Sequence, residues 1–534
     1  MNQMKTTSQA PHPSHSQQLR TLGDLVSWAA ERHGEKTAWI FPGSATKQNW
    51  TFREIDAAVS TLAVFLQEAC PEPGGRVAAM LPNIPEFPLL WLAAARSGRV
   101  LVPINSRAKR TDTAHLLRDS GAALAITVPA LQGVLQEAAD DVDGRPRVIM
   151  TRELPTHDTQ TNWALQGADE PVRTVNIQYT SGTTGLPKGC LLSHGYWLAI
   201  ARSLCESFPH IDTSDVLYTA QPFSYMDPQW NVATAMLAGA RLVVADRFSA
   251  RAMWRDIRRH NVTVFYCLGM MPAAMLAQPD HPDDRNHQVR AILASGIPPA
   301  LHATLERRWG VPWFEAFGMT ESGADLIVGP LDHDATVGAS CIGRPHPGKE
   351  ALIVGPDGEP VSTGHHGELV LRGVGLMDGY WRQPEATAHV FRNGWLRTGD
   401  RARVDENGRF FYLGRYKDMV RRSGENVSAH EVESVLEEHP RVRTAAVVSE
   451  PDAMVGEEVK VFLVPSGDQE TDLPALLTYC HTKLASFKVP RYWCVRLTLP
   501  MTPSERVAKG ELRADDGPVW DAKTLHGRSQ ERYP

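Results

Sequence analysis

Two textures of apolar residues alternate along the first three hundred residues. Short, nearly unbroken apolar runs cover 77–81, 123–127, 175–179, 241–245, 262–268 and 291–294. Bounded by turn residues, such runs predict buried strands. Longer stretches with helical spacing lie between several of them. Thr51-x-x-Glu54 is a capping box that opens a helix running to about Glu68, and a second helix runs from Pro85 to Ser97 and stops at Gly98. Alternating β and α segments predict a layered α/β architecture with strands buried on both faces.

Beyond about residue 330 the segments shorten and Gly and Pro become frequent, which predicts a β-rich subdomain. The pattern shifts again after Gly414. Charges crowd residues 415–422, and Ser428-x-x-Glu431 opens another helix by the same box logic. A domain boundary is therefore expected at 415–418, giving an N-terminal domain over 19–415 and a C-terminal one over 416–513. Residues 1–18, rich in Ser, Pro, Gln and His, read as a disordered tail, and 514–534 as a second tail without periodicity.

A chain of 534 residues is too long for one core, in keeping with that division. The net charge of -6 argues against a general nucleic-acid or anionic-membrane binder. Seven scattered cysteines with no C-x-x-C pair read as free thiols in a reducing compartment. The first residues lack the apolar core of a secretory signal, and no apolar run is long enough for a membrane span, so the cytoplasm is the expected location.

The richest chemistry lies just after the strand at 175–179, in YTSGTTGLPKG over residues 179–189. Its glycines let the backbone turn tightly and present N–H groups to an anion. Thr180, Ser181, Thr183 and Thr184 supply hydroxyls around Gly182, and Lys188 adds a charge. A solvated Ser/Gly turn has the same composition. Lys188 lies between Pro187 and Gly189, so this is not a Walker loop, and the glycine spacing at 373–379 misses the dinucleotide fingerprint.

That run resembles the signature of the adenylate-forming superfamily: acyl-CoA synthetases, luciferases and peptide-synthetase adenylation domains. The similarity continues in order from about Leu22 to Arg513. It implies a large N-terminal domain of layered α/β sheets with a β-rich subdomain, and a small mobile α+β C-terminal domain. It implies ATP-dependent adenylation of a carboxylate with Mg²⁺, followed by transfer to coenzyme A. A carrier-protein thiol or a partner enzyme is the alternative acceptor, and a nucleotide-binding module without adenylation is a third reading. A homodimer is left open.

Residue by residue, the segment 314–321 resembles the family's Y-G-x-T-E element. Phe317 stands where tyrosine is usual and would pack on adenine beside Glu315, Ala316, Gly318 and Met319. Thr320 would donate to the α-phosphate, and Glu321, with Thr184, would hold Mg²⁺ through oxygen. Ser295-Gly296-Ile297 resembles the adenine-lining turn. Asp400, in G-W-x-x-T-G-D, would accept from the ribose hydroxyls, and Arg415 would reach the same sugar. Lys417 resembles the hinge, and Arg422-Ser423-Gly424-Glu425 the loop that meets coenzyme A. Near the C terminus Arg506 stands where the family keeps its adenylating lysine, and Lys509 matches a second lysine, so the resemblance leaves the adenylating cation open between them.

The run 221–230 occupies the place of the aromatic gate, with Tyr225 where histidine is common. Asp227, flanked by Tyr225 and Trp230, would hold a cationic acyl group by charge and cation–π contact. The plainer reading is that Asp227 caps a turn before Pro228. Together with the run 249–254, this stretch resembles carnitine–CoA ligases and related medium-chain or cyclic-acid ligases.

Overall fold

The computed structural model describes residues 19–155, 174–180, 187–269, 271–422, 425–452, 454–467, 471–502, 506–515 and 517–523. Among these, the strands form three sheets. In the first, Arg147–Met150, Leu124–Thr127, Arg76–Met80, Val100–Ile104 and Thr174–Thr180 lie parallel in that order. Lys188–Ser193 then closes the sheet as an antiparallel partner of Thr174–Thr180. The two arms of that hairpin flank the hydroxyl-rich turn.

The second sheet hydrogen-bonds fourteen strands. Its parallel centre is Arg241–Val244, Val216–Thr219, Val264–Leu268, Ala291–Ser295 and Trp313–Met319. From Trp313–Met319 onward the pairing turns antiparallel through Gly323–Ile327, Cys341–Pro345, Phe410–Arg415, Trp395–Val404 and His366–Gly373. This antiparallel half is the β-rich region expected beyond residue 330. The third sheet is built from strands between Met419 and Asp521. Only the 3₁₀ turn Tyr416–Asp418 separates it from Phe410–Arg415.

Local signals explain the element ends. Thr51 accepts from the Glu54 N–H at 3.2 Å, and the Glu54 carboxylate returns the bond to the Thr51 N–H at 2.9 Å, opening the helix Phe52–Ala69. Gly98, with φ 69, closes Glu86–Ser97 in the left-handed conformation that costs glycine least. Ser428 caps Ala429–Glu437. The strand expected from Val262 begins instead at Val264. Asn261 ends the preceding helix at φ 52, and the Val262 N–H is spent on the Ile257 carbonyl at 3.0 Å.

The first two sheets share their main core through helices. Phe87 stacks on Phe223 with centroids 5.1 Å apart, and both are fully buried, an aromatic pair that contributes about 1 kcal/mol beyond its area. Trp91 and Trp197 both donate to Asn176 Oδ1, at 2.8 and 3.1 Å, so this buried amide on the hairpin strand is satisfied. The third sheet has its own core around Val432, Val461 and Trp493. One expectation is corrected here. Residues 514–534 are not wholly a tail, because Trp520–Asp521 pairs antiparallel with Tyr492–Val495 and Trp520 packs edge-on against Trp493. A two-residue strand is too short to show a period in the sequence. Among the described residues no helix is long and apolar enough to cross a membrane.

Candidate active site

One cavity of about 440 Å³ opens where the three sheets meet. Its walls come from strands of the first two sheets, from the helices His194–Glu206 and Met226–Ala238, and from the segment that carries Arg506. It gathers Thr180 and Lys188 from the hairpin, Ser295, and Ala316 through Glu321. It also gathers Arg415, Lys417, Arg506, Tyr225, Asp227 and Trp230. Residues more than three hundred positions apart thus face one space. Ser181, Gly182, Thr183 and Thr184, and likewise Ser423 and Gly424, lie outside the described residues.

Several expected site residues sit beside the cavity rather than on it. Glu315 is buried, and its two carboxylate oxygens accept from the Gly296 N–H at 2.6 Å and the Ile297 N–H at 3.0 Å. Burial pushes its carboxyl up to about 8 against the pull of those two donors. Glu315 therefore holds the turn in shape, and Gly296, at φ 81, supplies the left-handed bend. Glu315, Gly296 and Ile297 do not line the cavity, whereas Ser295 does. Ser295 is fixed by Tyr266, whose hydroxyl donates at 2.7 Å, and itself donates to the Ala316 carbonyl.

Asp400 is buried behind Arg415, which donates from Nε to Oδ1 at 2.9 Å. Its other oxygen, Oδ2, is buried with no hydrogen-bond partner among the described residues. Burial raises the Asp400 carboxyl, opposed by the charges of Arg415 and Arg506. An unmatched carboxylate oxygen beside the cavity fits a ligand that donates hydroxyls. Glu321 faces the cavity with one oxygen taken by the Tyr380 hydroxyl at 3.0 Å. Burial raises its carboxyl, and its own N–H and Tyr380 act against the rise. Lys188 Nζ sits 5.2 Å from the centre of the Tyr380 ring.

At the other end, Asp227 is buried in the first turn of Met226–Ala238. The N-cap position is Tyr225, and Asp227 follows in the first turn, where its carboxylate also accepts from its own N–H. Its carboxylate faces the cavity and takes a hydrogen bond from the Trp230 side chain. Burial pushes it up to about 6, and the Trp230 bond and the Arg506 charge pull the other way. Tyr266 crosses the Trp230 ring edge-on at 5.6 Å and completes an aromatic wall. This end is held from behind by Gln229, whose amide donates to the Phe223 and Tyr225 carbonyls at 3.0 and 3.1 Å and accepts from Asn176 at 2.7 Å. His346, buried and held low, at about 4, by burial and by the Lys349 charge, also lines the cavity.

The two candidate cations separate. Arg506 enters the cavity. Lys509 does not; its Nζ lies 2.6 Å from Glu433 and 3.9 Å from Asp418. Lys417 stands at the mouth, pulled down to about 8 by lost solvation and the Arg415 charge. Arg422 points away, clasped by the fully buried Glu458 at 2.7 Å and donating to the Phe487 carbonyl at 2.9 Å. Glu425 is the cross-strand neighbour of Arg422 and is exposed. Neither Arg422 nor Glu425 lines the cavity in this arrangement.

The sequence gives no hint of Tyr380, Tyr266 or Gln229, because each acts through a partner far away in the chain. The tyrosine at 380 does follow a glycine in a segment without helical or strand period, where a buried aromatic is unexpected.

Comparison with known proteins bears on the family and the fold. The AMP-binding enzyme family model matches residues 26–381, and the model of the AMP-binding enzyme C-terminal domain matches residues 431–506. The crotonobetaine/carnitine–CoA ligase of Salmonella typhi is 30% identical over 524 residues, spanning 93% of this chain and 99% of that protein. The o-succinylbenzoate–CoA synthetase of Bacillus subtilis in complex with ATP and magnesium superimposes with a TM-score of 0.79 at 27% identity, covering 92% of this chain and 99% of that one. ATP-bound MatB of Rhodopseudomonas palustris gives 0.82 at 25% identity, covering 93% and 99%.

Proposed function

From the premise that this chain belongs to the AMP-binding enzyme family, the adenylate-forming enzymes, we propose that it is an ATP-dependent acid–CoA ligase. The family implies ATP and magnesium. The observation that carries the reading is the meeting of Thr320, Glu321, Lys188 and Arg506 with Asp227 and Trp230 in one cavity.

The first half-reaction brings two anions together, so the site must neutralise charge and align them. A carboxylate oxygen attacks the α-phosphorus, and the P–O bond to pyrophosphate breaks with its electron pair leaving on pyrophosphate. Arg506 and Lys188 offset the charge, and Thr320 donates to a phosphate oxygen. Magnesium, when bound, would be held by the oxygen of Glu321 that Tyr380 leaves free and would withdraw charge from the phosphates. Asp400 Oδ2 accepts from the ribose, and Arg415 steadies it. Phe317, at the cavity wall, packs on the base.

In the second half-reaction the thiol sulfur attacks the acyl carbon and AMP leaves. Arg506 in the cavity and Arg422 turned away support reading this arrangement as the adenylating one. Thiolation then requires the unit from residue 416 onward, the strand Trp520–Asp521 included, to swing about Lys417 relative to 19–415 and bring the loop 422–425 forward. The names of the curated relatives point to acids with a cationic group. Asp227, between Tyr225, Trp230 and Tyr266, is the counter-ion such an acid needs. A cytoplasmic setting belongs to the same proposal.

A panel of carboxylic acids, cationic and neutral, tests this by AMP and pyrophosphate release with and without CoA. Acid-dependent pyrophosphate with acyl-CoA as product is expected. Acid-dependent pyrophosphate without a CoA thioester would move the acceptor to a carrier-protein thiol, and no acid-dependent pyrophosphate would refute the adenylation itself.

A further inference from the structure

Tyr380 lies on a short extended segment that is stitched to two parts of the cavity wall. Leu191 N–H donates to the Gly379 carbonyl at 2.9 Å, Asp378 N–H to Leu191 at 2.9 Å and Trp381 N–H to Gly189 at 2.7 Å. These bonds tie the segment to the strand that leaves the hydroxyl-rich turn, with Tyr380 bridged to Cys190. Met377 N–H donates to the Glu321 carbonyl at 2.8 Å and ties the same segment to the acidic side of the cavity. The Tyr380 side chain, 8% exposed, spans the two. Its hydroxyl donates to Glu321 Oε1 at 3.0 Å, and the face of its ring lies under Lys188 Nζ.

We propose that Tyr380 is a positioning residue for adenylation, its hydroxyl fixing the rotation of the Glu321 carboxylate and its ring fixing the place of the Lys188 ammonium. The inference rests on the reading of Glu321 and Lys188 given above.

The physical case has two parts. A carboxylate can turn about its last bond, and a cation needs a particular oxygen presented to it. A phenol that donates to Oε1 removes that freedom and leaves Oε2 for the ligand, and a hydrogen bond to an ionised acceptor is of the stronger kind. Loss of such an outer partner typically costs about 10–100-fold in metal affinity. The ammonium of a lysine is a mobile point charge on four carbons, and the ring face gives it one preferred position. Because a single rigid residue does both, the distance between the acidic and basic ends of the phosphate site is set by one side chain.

Calorimetric titration of ATP, with and without magnesium, separates these parts. The wild type is expected to bind ATP more tightly with magnesium. Tyr380→Phe keeps the ring and loses the hydroxyl, so the magnesium-dependent gain should shrink by roughly tenfold, while magnesium-free binding stays within about twofold. Tyr380→Leu should weaken magnesium-free binding as well, by about threefold. An unchanged magnesium gain in Tyr380→Phe would overturn the proposal. Glu321→Gln is the control for the underlying assignment. If it keeps the full magnesium gain, Glu321 is not the cation's ligand and the reading beneath the proposal fails, whatever Tyr380→Phe does. Magnesium-free ATP binding by Tyr380→Phe reports that the variant is folded.

Discussion

Lys509 is held by Glu433, Nζ to Oε1 at 2.6 Å, and is thereby withdrawn from the cavity that Arg506 enters. A lysine in an ion pair on the side of its own sheet does not serve a phosphate elsewhere. Arg506→Ala is expected to lower acid-dependent pyrophosphate exchange by about a hundredfold or more, the range for losing one charge-stabilising group. Lys509→Ala should leave exchange within about threefold while destabilising the fold by about 2 kcal/mol, because Glu433 loses its cationic partner and keeps, among the described residues, only the Val447 N–H. Exchange kinetics and a denaturant melt check both; the reverse ranking would return the adenylating role to Lys509.

Asp227 carries the substrate prediction. Burial places its carboxyl at about 6, so it is an anion above that pH and neutral below it. For a cationic acid, kcat/KM should be level above pH 7 and fall as pH drops through about 6, approaching tenfold per unit. A neutral acid of similar size should lack that limb, and Asp227→Asn should remove it for the cationic acid. Matched pH profiles for the two acids in the wild type would rule out the counter-ion role.

Asp400 predicts discrimination by the sugar. With Oδ1 engaged by Arg415, the orphaned Oδ2 is the atom left for ribose. The wild type should prefer ATP to 2′-deoxy-ATP by about tenfold in KM, the usual worth of a hydrogen bond to a charged group. Asp400→Asn should narrow the ratio toward unity, and a steady-state comparison of the two nucleotides gives the answer.

His333 predicts a pH-dependent stability away from the cavity. Its ring donates to Glu306 at 2.6 Å and to Asp334 at 2.9 Å, with His302 and Phe314 packed alongside. His302, Glu306 and His333 converge as metal ligands would. However, His302 is bonded at one nitrogen to the Gly338 N–H and at the other to the Trp313 carbonyl, so the cluster is satisfied as hydrogen bonds and an ion pair. Bonding to Glu306 raises the His333 pKa above 6.5, so its stabilisation is full below 6.5 and is lost as pH rises through the folded value. Burial pushes Glu306 up, but His302, His333 and the Trp313 N–H outweigh it and hold the carboxyl at about 2. Its stabilisation is present above 4.5 and lost toward 2. The pair is strongest between 4.5 and 6.5. His333→Gln should therefore lower Tm more at pH 5.5 than at pH 8.5, and equal losses at the two values would contradict the charged pair.

Much of this fold is legible in the sequence because its signals are local. The strands at 77–81 and 241–245 announce themselves as apolar runs, Thr51 and Ser428 as caps, and Gly98 as a stop. The site is legible only as far as its motifs are contiguous. Glu315 reads as a nucleotide contact because of its neighbours, yet its oxygens belong to Gly296 and Ile297, nineteen and eighteen residues back. Tyr380 and Gln229 act through partners that only the folded sheets bring close. Arg506 and Lys509, three positions apart, read as interchangeable until Glu433 claims one of them.

Three residues, Tyr416–Asp418, link the large sheet to the small one, and Arg415 immediately before them grips Asp400. On the proposed swing about Lys417, the turning would be centred on dihedral angles next to the residue that grips Asp400. The proposed fulcrum and the proposed nucleotide clasp are neighbours along the backbone, so twisting at one would strain the other. Release of AMP and the return stroke would then be mechanically linked, without a relay of side chains across the interior.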